Sequence, residues 1–311
     1  MNDMRHPGTT FFLRLAIGIL LVILLFWFVS PSAVLQSLES MDPVFLLAAI
    51  LVYALAFLVL TFRWKMIVAH LGVNIPLGEA YQAFAGGVLY SDFTPARIGD
   101  LSRAVLIKER VDIHKGTVSV IIDRVIDIIV LICLGIAALV FFSSRFASVL
   151  SLVALMVLIL VFSGIILLFW QSARVFFWIR KIPCQGIAGF AGQVQTAFSE
   201  FLNAKKVFAG GILLTLVTWV LHALRVVLIT LGLGYFVPLP ELFLILPLIS
   251  ALSIIPVTLS GLGLVEGGMM TALTGMGVPV SAAFSVAILD RGLTMLFHFA
   301  IGGRFALKHT V

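Results

Sequence analysis

Residues 115–142 read KGTVSVIIDRVIDIIVLICLGIAALVFF, an apolar run that holds Asp123, Arg124 and Asp127 in its first half. As a helix this run would be about 42 Å long at 1.5 Å per residue, more than the roughly 30 Å hydrocarbon core of a bilayer. A charged side chain at the centre of such a helix costs about 2.5–3.5 kcal/mol on insertion scales, unless partners or water surround it. The stretch therefore predicts a membrane-spanning helix that packs in a bundle and carries a polar site.

The composition of the whole chain extends this prediction to all 311 residues. Hydrophobic residues make up 62% of the sequence and charged residues 11%, whereas soluble domains average about 25% charged residues. A net charge of +6 would suggest nucleic acid as the partner of a soluble protein, but here it reflects Lys and Arg beside membrane spans. The predicted fold is a single all-α polytopic membrane domain over residues 1–311, with no nucleic-acid partner.

Apolar segments and their interruptions predict the topology. Two broken apolar stretches, 79–108 and 239–276, contain Gly and Pro residues that interrupt helices, and we interpret both as re-entrant helical hairpins. The continuous apolar segments, each long enough to span a bilayer, are six in number: 11–29, 43–66, 115–142, 147–170, 207–232 and 279–305.

The distribution of basic residues supports this topology. Sixteen of the twenty Lys and Arg residues fall on one predicted side, which by the positive-inside rule is cytoplasmic and includes both termini. Residues 171–206 mix aromatic and basic residues, which favours amphipathic helices on the inner leaflet. A folded cytoplasmic linker is the alternative for this segment.

An internal repeat relates residues 43–142 to residues 207–305. An odd number of predicted crossings separates the first spans of the copies, so the copies run in opposite directions, as in many transporters. The offset is 162 residues early in the repeat and 167 later, which indicates an insertion of five residues. The matched features are Arg63 with Arg225, Pro76-Leu77-x-Glu79 with Pro238-Leu239-x-Glu241, and Asp123-Arg124 with Asp290-Arg291.

Charged residues within the spans are the candidate site. Asp123 and Asp127 are i,i+4 neighbours on one helix face, and Asp290 and His298 lie on one face in the second copy. Glu266 follows a Gly-Leu-Gly break, where a buried carboxylate favours a functional role. The alternative is that these charges only pair and lock helices together, each across to another helix, since adjacent residues point about 100° apart. For His298 a satisfied polar group is favoured over a proton relay.

The segment 94–103 is the densest polar cluster near the membrane. If it ends helices within the bilayer, free backbone N–H groups with Arg97 and Arg103 would favour an anionic headgroup, with Asp100 between them. An ordinary basic loop on the inner face is the alternative. The sequence has no Walker A, HExxH or G-x-S-x-G motif and no metal-spaced Cys/His set. We therefore expect no cofactor, no metal and no enzymatic activity.

Several motifs together resemble a known family, the flippase-like transmembrane region of lysylphosphatidylglycerol synthases. The resemblance covers nearly all of residues 11–305, but the chain ends at Val311 with no soluble aminoacyl-transferase domain, so synthase activity is not implied. The motifs that carry the resemblance are Arg63-Trp64, Pro95-x-Arg97-x-Gly99-Asp100-x-x-Arg103, Asp123-Arg124 and Gly261-Leu262-Gly263-x-x-Glu266.

The resemblance implies a protein of the prokaryotic cell (inner) membrane that moves a polar-headed lipid between leaflets through a midplane cavity. The lipid would be an anionic or aminoacylated phospholipid, or a polyprenyl-phosphate carrier. The residues expected to bind it are Arg97, Asp100, Arg103, Asp123, Arg124, Asp127, Arg225, Glu266, Asp290 and Arg291. Two alternatives stay open: a membrane enzyme or enzyme subunit acting on a lipid phosphate, and a non-catalytic scaffold for a lipid synthase or glycosyltransferase partner.

Overall fold

The protein is all-α and polytopic over the residues that its structure, a computed structural model, describes. These are residues 7–94, 99–142, 204–254 and 257–308, with Thr196 and Phe201. Ten helices lie in these ranges: α1 Pro7–Val29, α2 Pro31–Glu39, α3 Pro43–His70, α4 Leu77–Asp92, α5 Ser102–Leu106, α6 Ile113–Phe142, α7 Lys205–Gly232, α8 Leu239–Ala251, α9 Leu264–Gly275 and α10 Val280–Lys308.

Among the described residues, five helices are long and apolar enough to cross a membrane: Phe11–Val29 in α1, α3, α6, α7, and Val280–Gly303 in α10. They correspond to five of the six predicted spans, whereas the sixth, 147–170, and nearly all of the segment 171–206 lie outside the described residues. The predicted end of the second span at residue 66 is too early, because α3 continues to His70. Arg63 was counted as a cytoplasmic charge, but it lies inside this helix with its side chain fully buried.

Short helices replace continuous spans in the two broken stretches. The first contains α4, with 16 residues, and α5, with five, while the second contains α8 and α9, with 13 and 12 residues. At 1.5 Å per residue even α4 is only about 24 Å long, shorter than the hydrocarbon core. Gly261 and Gly263 lie in the break between α8 and α9. Pro247 lies inside α8, and Gly86 and Gly87 lie inside α4, so these three do not interrupt their helices, contrary to the prediction. That these stretches enter a membrane from opposite faces stays a prediction.

The chain divides into two compact units. The first contains residues 1–58, 85–100 and 218–311, and the second contains 59–84 and 101–217. In the first unit α10 packs against α9 and α2, and α1 contacts α2, α9 and α10. In the second unit α5 packs on α6, and a buried apolar cluster joins Ile67, Val118, Ile122, Ile126 and Phe201.

The connection between α8 and α9 is non-helical and depends on glycine. Ser260 has φ 48°, and Gly261 and Gly263 have φ 72° and 84°, in the left-handed region that glycine adopts at little cost. A Cβ on Gly263 would lie 2.4 Å from the Cβ of Leu21 on α1. Gly263 therefore allows both the backbone turn and the close approach of α1.

Candidate functional site

Arg63 and Asp123 form a buried ion pair between two spans of the second unit. Arg63 Nη2 lies 2.8 Å from Asp123 Oδ1, and Nε donates to the same oxygen at 2.9 Å. Both side chains are fully buried. Arg63 Nη1 donates to Thr215 Oγ1 on α7 at 2.6 Å and also to the carboxylate of Asp127. Asp123 and Asp127 thus contact one guanidinium, in agreement with their predicted position on a common face of α6.

Arg103 completes this group from the first turns of α5. Its Nη1 donates to Asp123 Oδ2 at 2.9 Å, and its guanidinium lies over the rings of Trp64 and Phe84, at 5.4 and 4.7 Å from their centroids. Trp64 is held in turn by a 3.0 Å hydrogen bond to Ser119 Oγ. Arg103 is thus buried in the packing of the second unit rather than part of an ordinary basic loop, and its contact with a lipid headgroup stays a prediction. The aromatic rings and Asp123 bury the side chain completely.

Arg124 and Asp127 form the accessible edge of the group. Arg124 Nη1 lies 3.4 Å from Asp127 Oδ2, and its Nη2 lies 3.7 Å from Asp123 Oδ2. Their side chains are 31% and 28% exposed, whereas Arg63 and Asp123 are at 0%. Arg124 thus pairs with aspartates of its own helix, whereas the sequence predicted partners on other helices. Asp123 does have such partners, Arg63 and Arg103. We call Arg63, Arg103, Asp123, Arg124 and Asp127 the α6 cluster.

Arg225 and Asp290 form the corresponding ion pair in the first unit, between α7 and α10. Arg225 Nε donates to Asp290 Oδ1 at 2.7 Å and Nη2 donates to Oδ2 at 3.0 Å, so the pair is bidentate. The Nη1 atom lies 3.4 Å from His222 Nδ1, and the guanidinium lies 4.8 Å from the ring centroid of Tyr53. Both charged side chains are at most 11% exposed.

These two ion pairs join residues that the repeat matches. Arg63 corresponds to Arg225 and Asp123 to Asp290, and the partners are 60 residues apart in the first copy and 65 in the second. The five-residue difference restates the two sequence offsets, so the structural finding is that the matched Arg and Asp residues pair in both copies. The repeat boundaries and the opposite orientation of the copies stay predictions.

Glu266 closes the break between α8 and α9. Its Oε2 accepts a 2.6 Å hydrogen bond from the backbone N–H of Gly263, while Oε1 lies 3.4 Å from Arg291 Nε. Arg291 Nη2 donates to the backbone oxygen of Ser260 at 3.1 Å. Glu266 is 1% exposed. The carboxylate that the sequence favours for function thus caps α9 and pairs with Arg291 across to α10.

The polar segment 94–103 is described only in part. Arg97 lies outside the described residues. Asp100 is buried in a short helical turn, and the N–H of Gly99 donates to Thr94 Oγ1 at 2.7 Å. A Cβ on Gly99 would lie 2.4 Å from the carbonyl of Tyr90. Thr94, Gly99 and Asp100 are therefore tightly packed here, unlike an open basic loop.

A third polar group, centred on His298, was missed as a site. His298 Nδ1 lies 2.6 Å from Asp92 Oδ2, and Nε2 lies 2.5 Å from the hydroxyl of Tyr53. His298 is a satisfied polar group, as the sequence favours. Its partners are distant in sequence, and neither has a repeat match that would have drawn attention to it. Within the described part of the chain, no group of three or more His, Cys, Asp or Glu residues could hold a metal ion.

Comparison with known proteins agrees with this architecture. Residues 11–302 match the model of the lysylphosphatidylglycerol synthase transmembrane region. A UPF0104 membrane protein of Pyrococcus horikoshii is 23% identical over 96% of this chain and 97% of its own length. A second, from Methanothermobacter thermautotrophicus, is 23% identical over 96% and 94%. A third, from Methanocaldococcus jannaschii, is 29% identical over 68% and 88%. The chain is thus a multi-pass membrane protein that belongs to the family of the lysylphosphatidylglycerol synthase transmembrane region.

Proposed function

We propose that this protein moves a polar-headed lipid between the leaflets of a prokaryotic cell membrane, with both termini in the cytoplasm. The observation that carries the proposal is the α6 cluster, three arginines and two aspartates on or beside membrane spans. Its inner part is fully buried, whereas Arg124 and Asp127 are accessible. A headgroup can therefore reach charged groups at the depth of the spans while its acyl chains stay in lipid.

The energetic cost of the α6 cluster supports a role beyond stability. Buried ion pairs can often be replaced by apolar side chains of similar size with no loss of stability. Charges within spans therefore mark substrate or ion pathways more often than structural locks. Arg63 and Arg103 orient the carboxylate of Asp123, and this leaves Arg124 and Asp127 to meet the substrate. The other expected binding residues, Asp100, Arg225, Glu266, Asp290 and Arg291, act in this proposal by positioning helices.

The chemistry of arginine favours a phosphate on the lipid. A guanidinium forms two parallel hydrogen bonds with a phosphate, and such charge-assisted pairs are stronger than neutral ones. Anionic phospholipids, aminoacylated phospholipids and polyprenyl-phosphate carriers all contain this group. An aminoacylated headgroup also carries an ammonium, for which Asp127 would be the partner. The family match supports a role in lipid handling, because the family model is named after a lipid synthase.

Reconstitution into liposomes tests the proposal. The purified protein would be placed in vesicles with fluorescent phosphatidylglycerol, lysyl-phosphatidylglycerol or polyprenyl phosphate, and the exchange of each between leaflets would be followed by chemical quenching. Arg124→Gln and Asp127→Asn are expected to slow exchange about tenfold, since a hydrogen bond to a charged group contributes about 1.5–3 kcal/mol. Arg110→Gln is the matched control, because Arg110 pairs with Glu79 at a surface where both are well exposed.

The alternatives give different results in the same experiment. No exchange of any of the three lipids by well-folded protein would remove the translocation proposal. Mass spectrometry of the same vesicles would then reveal a chemically altered lipid if the protein is an enzyme. An unaltered lipid pool would favour the remaining alternative, a non-catalytic scaffold for a lipid synthase or glycosyltransferase partner. Equal exchange rates for Arg124→Gln and wild type would remove the α6 cluster from the substrate path.

A further inference from the structure

Three helices of the first unit place Asp92, His298 and Tyr53 in one hydrogen-bonded chain. Both ring nitrogens of His298 are engaged, Nδ1 with Asp92 Oδ2 at 2.6 Å and Nε2 with the Tyr53 hydroxyl at 2.5 Å. The side chains of His298 and Asp92 are 9% and 16% exposed, and Tyr53 is buried. We call these three residues the His298 triad.

The triad can take up one proton without losing its contacts to His298. In the neutral state Nδ1–H donates to the Asp92 carboxylate, and Nε2 accepts from the Tyr53 hydroxyl. A proton added to Nε2 makes both nitrogens donors, so the Tyr53 oxygen becomes the acceptor and its own hydrogen turns away. The imidazolium then faces the negative charge of Asp92. One proton is bound, no covalent bond is broken, and the Tyr53 hydroxyl reorients.

The surroundings connect this proton to the ion pair of the second repeat. The Tyr53 ring lies 4.8 Å from the guanidinium of Arg225, which binds Asp290, and 6.0 Å from the ring of His222. The His298 ring lies 5.8 Å from the Tyr53 ring between centroids, so a positive charge on His298 would have the Tyr53 ring as a common neighbour with Arg225. Like charges oppose each other when water is scarce. The rings of Phe57 and Phe297 pack beside Tyr53, at 6.5 and 5.0 Å between centroids. These aromatic contacts limit the water that could screen the repulsion.

The α6 cluster and the His298 triad differ in whether their cationic side chains can lose a proton. The cations of the α6 cluster are arginines, which keep their charge at all physiological pH values. Imidazole is the side chain whose charge ordinarily changes between pH 5 and 8. Chains of Asp, Glu and His within spans serve as proton relays in pumps and transporters. His298 of the second repeat, with Tyr53 and Asp92 of the first repeat as its partners, is thus a group that can bind and release a proton. It lies on the same helix as Asp290 of the Arg225–Asp290 ion pair.

We propose that the His298 triad is a proton-binding site and that the proton is the coupling ion for lipid movement. This inference rests on the proposed function. Protonation would weaken the contact of Arg225 with the Tyr53 ring and so change the relative stability of two conformations of the first unit. A proton gradient would then drive the lipid to one leaflet rather than merely equilibrate it.

The steady-state distribution of lipid between leaflets tests this inference directly. Vesicles of phosphatidylcholine with fluorescent phosphatidylglycerol would be given a one-unit pH gradient, with the membrane potential held at zero by potassium and valinomycin. Such a gradient amounts to about 1.4 kcal/mol per proton, which supports up to about tenfold lipid asymmetry at one proton per lipid. Wild type is expected to build this asymmetry and to lose it when a protonophore is added. The glutamine of His298→Gln cannot bind a proton, so this variant is expected to give equal amounts of fluorescent lipid in the two leaflets.

Matched variants separate proton coupling from damage to the fold. His70→Gln removes an exposed histidine at the end of α3 and is expected to keep the wild-type asymmetry. Tyr53→Phe keeps the ring beside Arg225 but removes the hydroxyl, and it should lower the asymmetry at least threefold. If His298→Gln does not fold, Asp92→Asn is used in its place. It should lower the asymmetry, because the protonated imidazole loses the negative charge that stabilises it.

Each result distinguishes this inference from the proposed function. In one outcome, wild type exchanges the lipid quickly and yet gives equal amounts of fluorescent lipid in the two leaflets under the gradient. That result would overturn proton coupling and leave the proposal of lipid movement intact. Undiminished asymmetry in folded His298→Gln would overturn the assignment of the proton site. No exchange of any lipid by wild type would overturn both proposals.

Discussion

Arg225 binds Asp290 through two separate hydrogen bonds, 2.7 Å from Nε to Oδ1 and 3.0 Å from Nη2 to Oδ2. In Arg63, the matching residue of the first repeat, Nε donates to Oδ1 of Asp123 and Nη2 lies 2.8 Å from that same oxygen. The other oxygen of Asp123 accepts from Arg103. In the second repeat both oxygens of the carboxylate bind the same arginine. In the first repeat two arginines share the carboxylate. This difference leads to distinct expectations for the two ion pairs.

Replacing Asp123 with Asn should strongly destabilise the protein. The change leaves Arg63 and Arg103 buried beside a neutral amide, and removing one partner of a buried ion pair costs about 3–5 kcal/mol. Glu79→Gln, which removes a carboxylate from the exposed pair with Arg110, should cost less than about 1 kcal/mol. The free energy of unfolding in detergent, measured with denaturant, checks both values. Equal losses in the two variants would contradict the role assigned to Asp123.

Replacing Arg225 with Lys should cost about 2 kcal/mol of unfolding free energy. Lysine keeps the positive charge but cannot reproduce the planar fork that contacts both oxygens of Asp290, so one charge-assisted hydrogen bond is lost. Arg110→Lys is the matched control, since an exposed pair depends little on the fork geometry. The same denaturation measurement applies. A loss no greater than that of the control would show that the bidentate geometry contributes nothing.

The sequence predicted those parts of the site that local spacing and the repeat determine. The match of Arg63 with Arg225 and of Asp123 with Asp290 singled out four residues that form the two buried pairs. Adjacent side chains on a helix point about 100° apart, so neighbouring Asp and Arg residues do not face each other. This indicated partners on other helices for Asp123, Asp290 and Arg291. Apolar length likewise predicted the five spans that the structure describes, because burial in lipid requires long apolar helices whatever their tertiary contacts.

Tertiary packing determines the parts that the sequence did not predict. Arg103 lies on a helix of only five residues, too short for any periodicity to show which side is buried. Tyr53 is one aromatic residue in an apolar helix, and its partner His298 is 245 positions away. Glu266 caps its own helix through a turn that requires glycine at 263. Long-range packing and local turn geometry of this kind leave no periodic signal in one sequence.

Replacing Gly263 with Ala should destabilise the protein more than the same change at Gly277. Both glycines have positive φ, 84° and 93°, so alanine carries a similar backbone cost of about 1–2 kcal/mol at each site. A Cβ at 263 would also lie 2.4 Å from the Cβ of Leu21, whereas no atom lies within 4 Å of a Cβ at 277. The clash should add roughly 1–3 kcal/mol. Detergent unfolding of the two variants side by side gives the difference, and equal losses would contradict the close approach of α1.

If the two repeats run in opposite directions, as the sequence predicts, the tips of the two broken stretches face opposite sides of the membrane. Arg291 on α10 binds the backbone of Ser260 in the second break, while Phe299, eight residues later, packs its ring against Phe93 in the first. Eight residues correspond to about 12 Å along the helix. With the C-terminus of α10 in the cytoplasm, Phe93 is expected on the cytoplasmic side of the second tip.

Cysteine labelling can measure this arrangement. Phe93 and Val257 are both at least 40% exposed and would be replaced by Cys in a background carrying Cys133→Ser and Cys184→Ser. A membrane-impermeant maleimide added to right-side-out and inverted vesicles should label Phe93→Cys from the cytoplasmic face and Val257→Cys from the outer face. Permeabilised vesicles, in which both positions should react, control for access. Labelling of both cysteines from one face in intact vesicles would contradict the inverted repeat, because copies of opposite orientation cannot present matched tips to the same compartment.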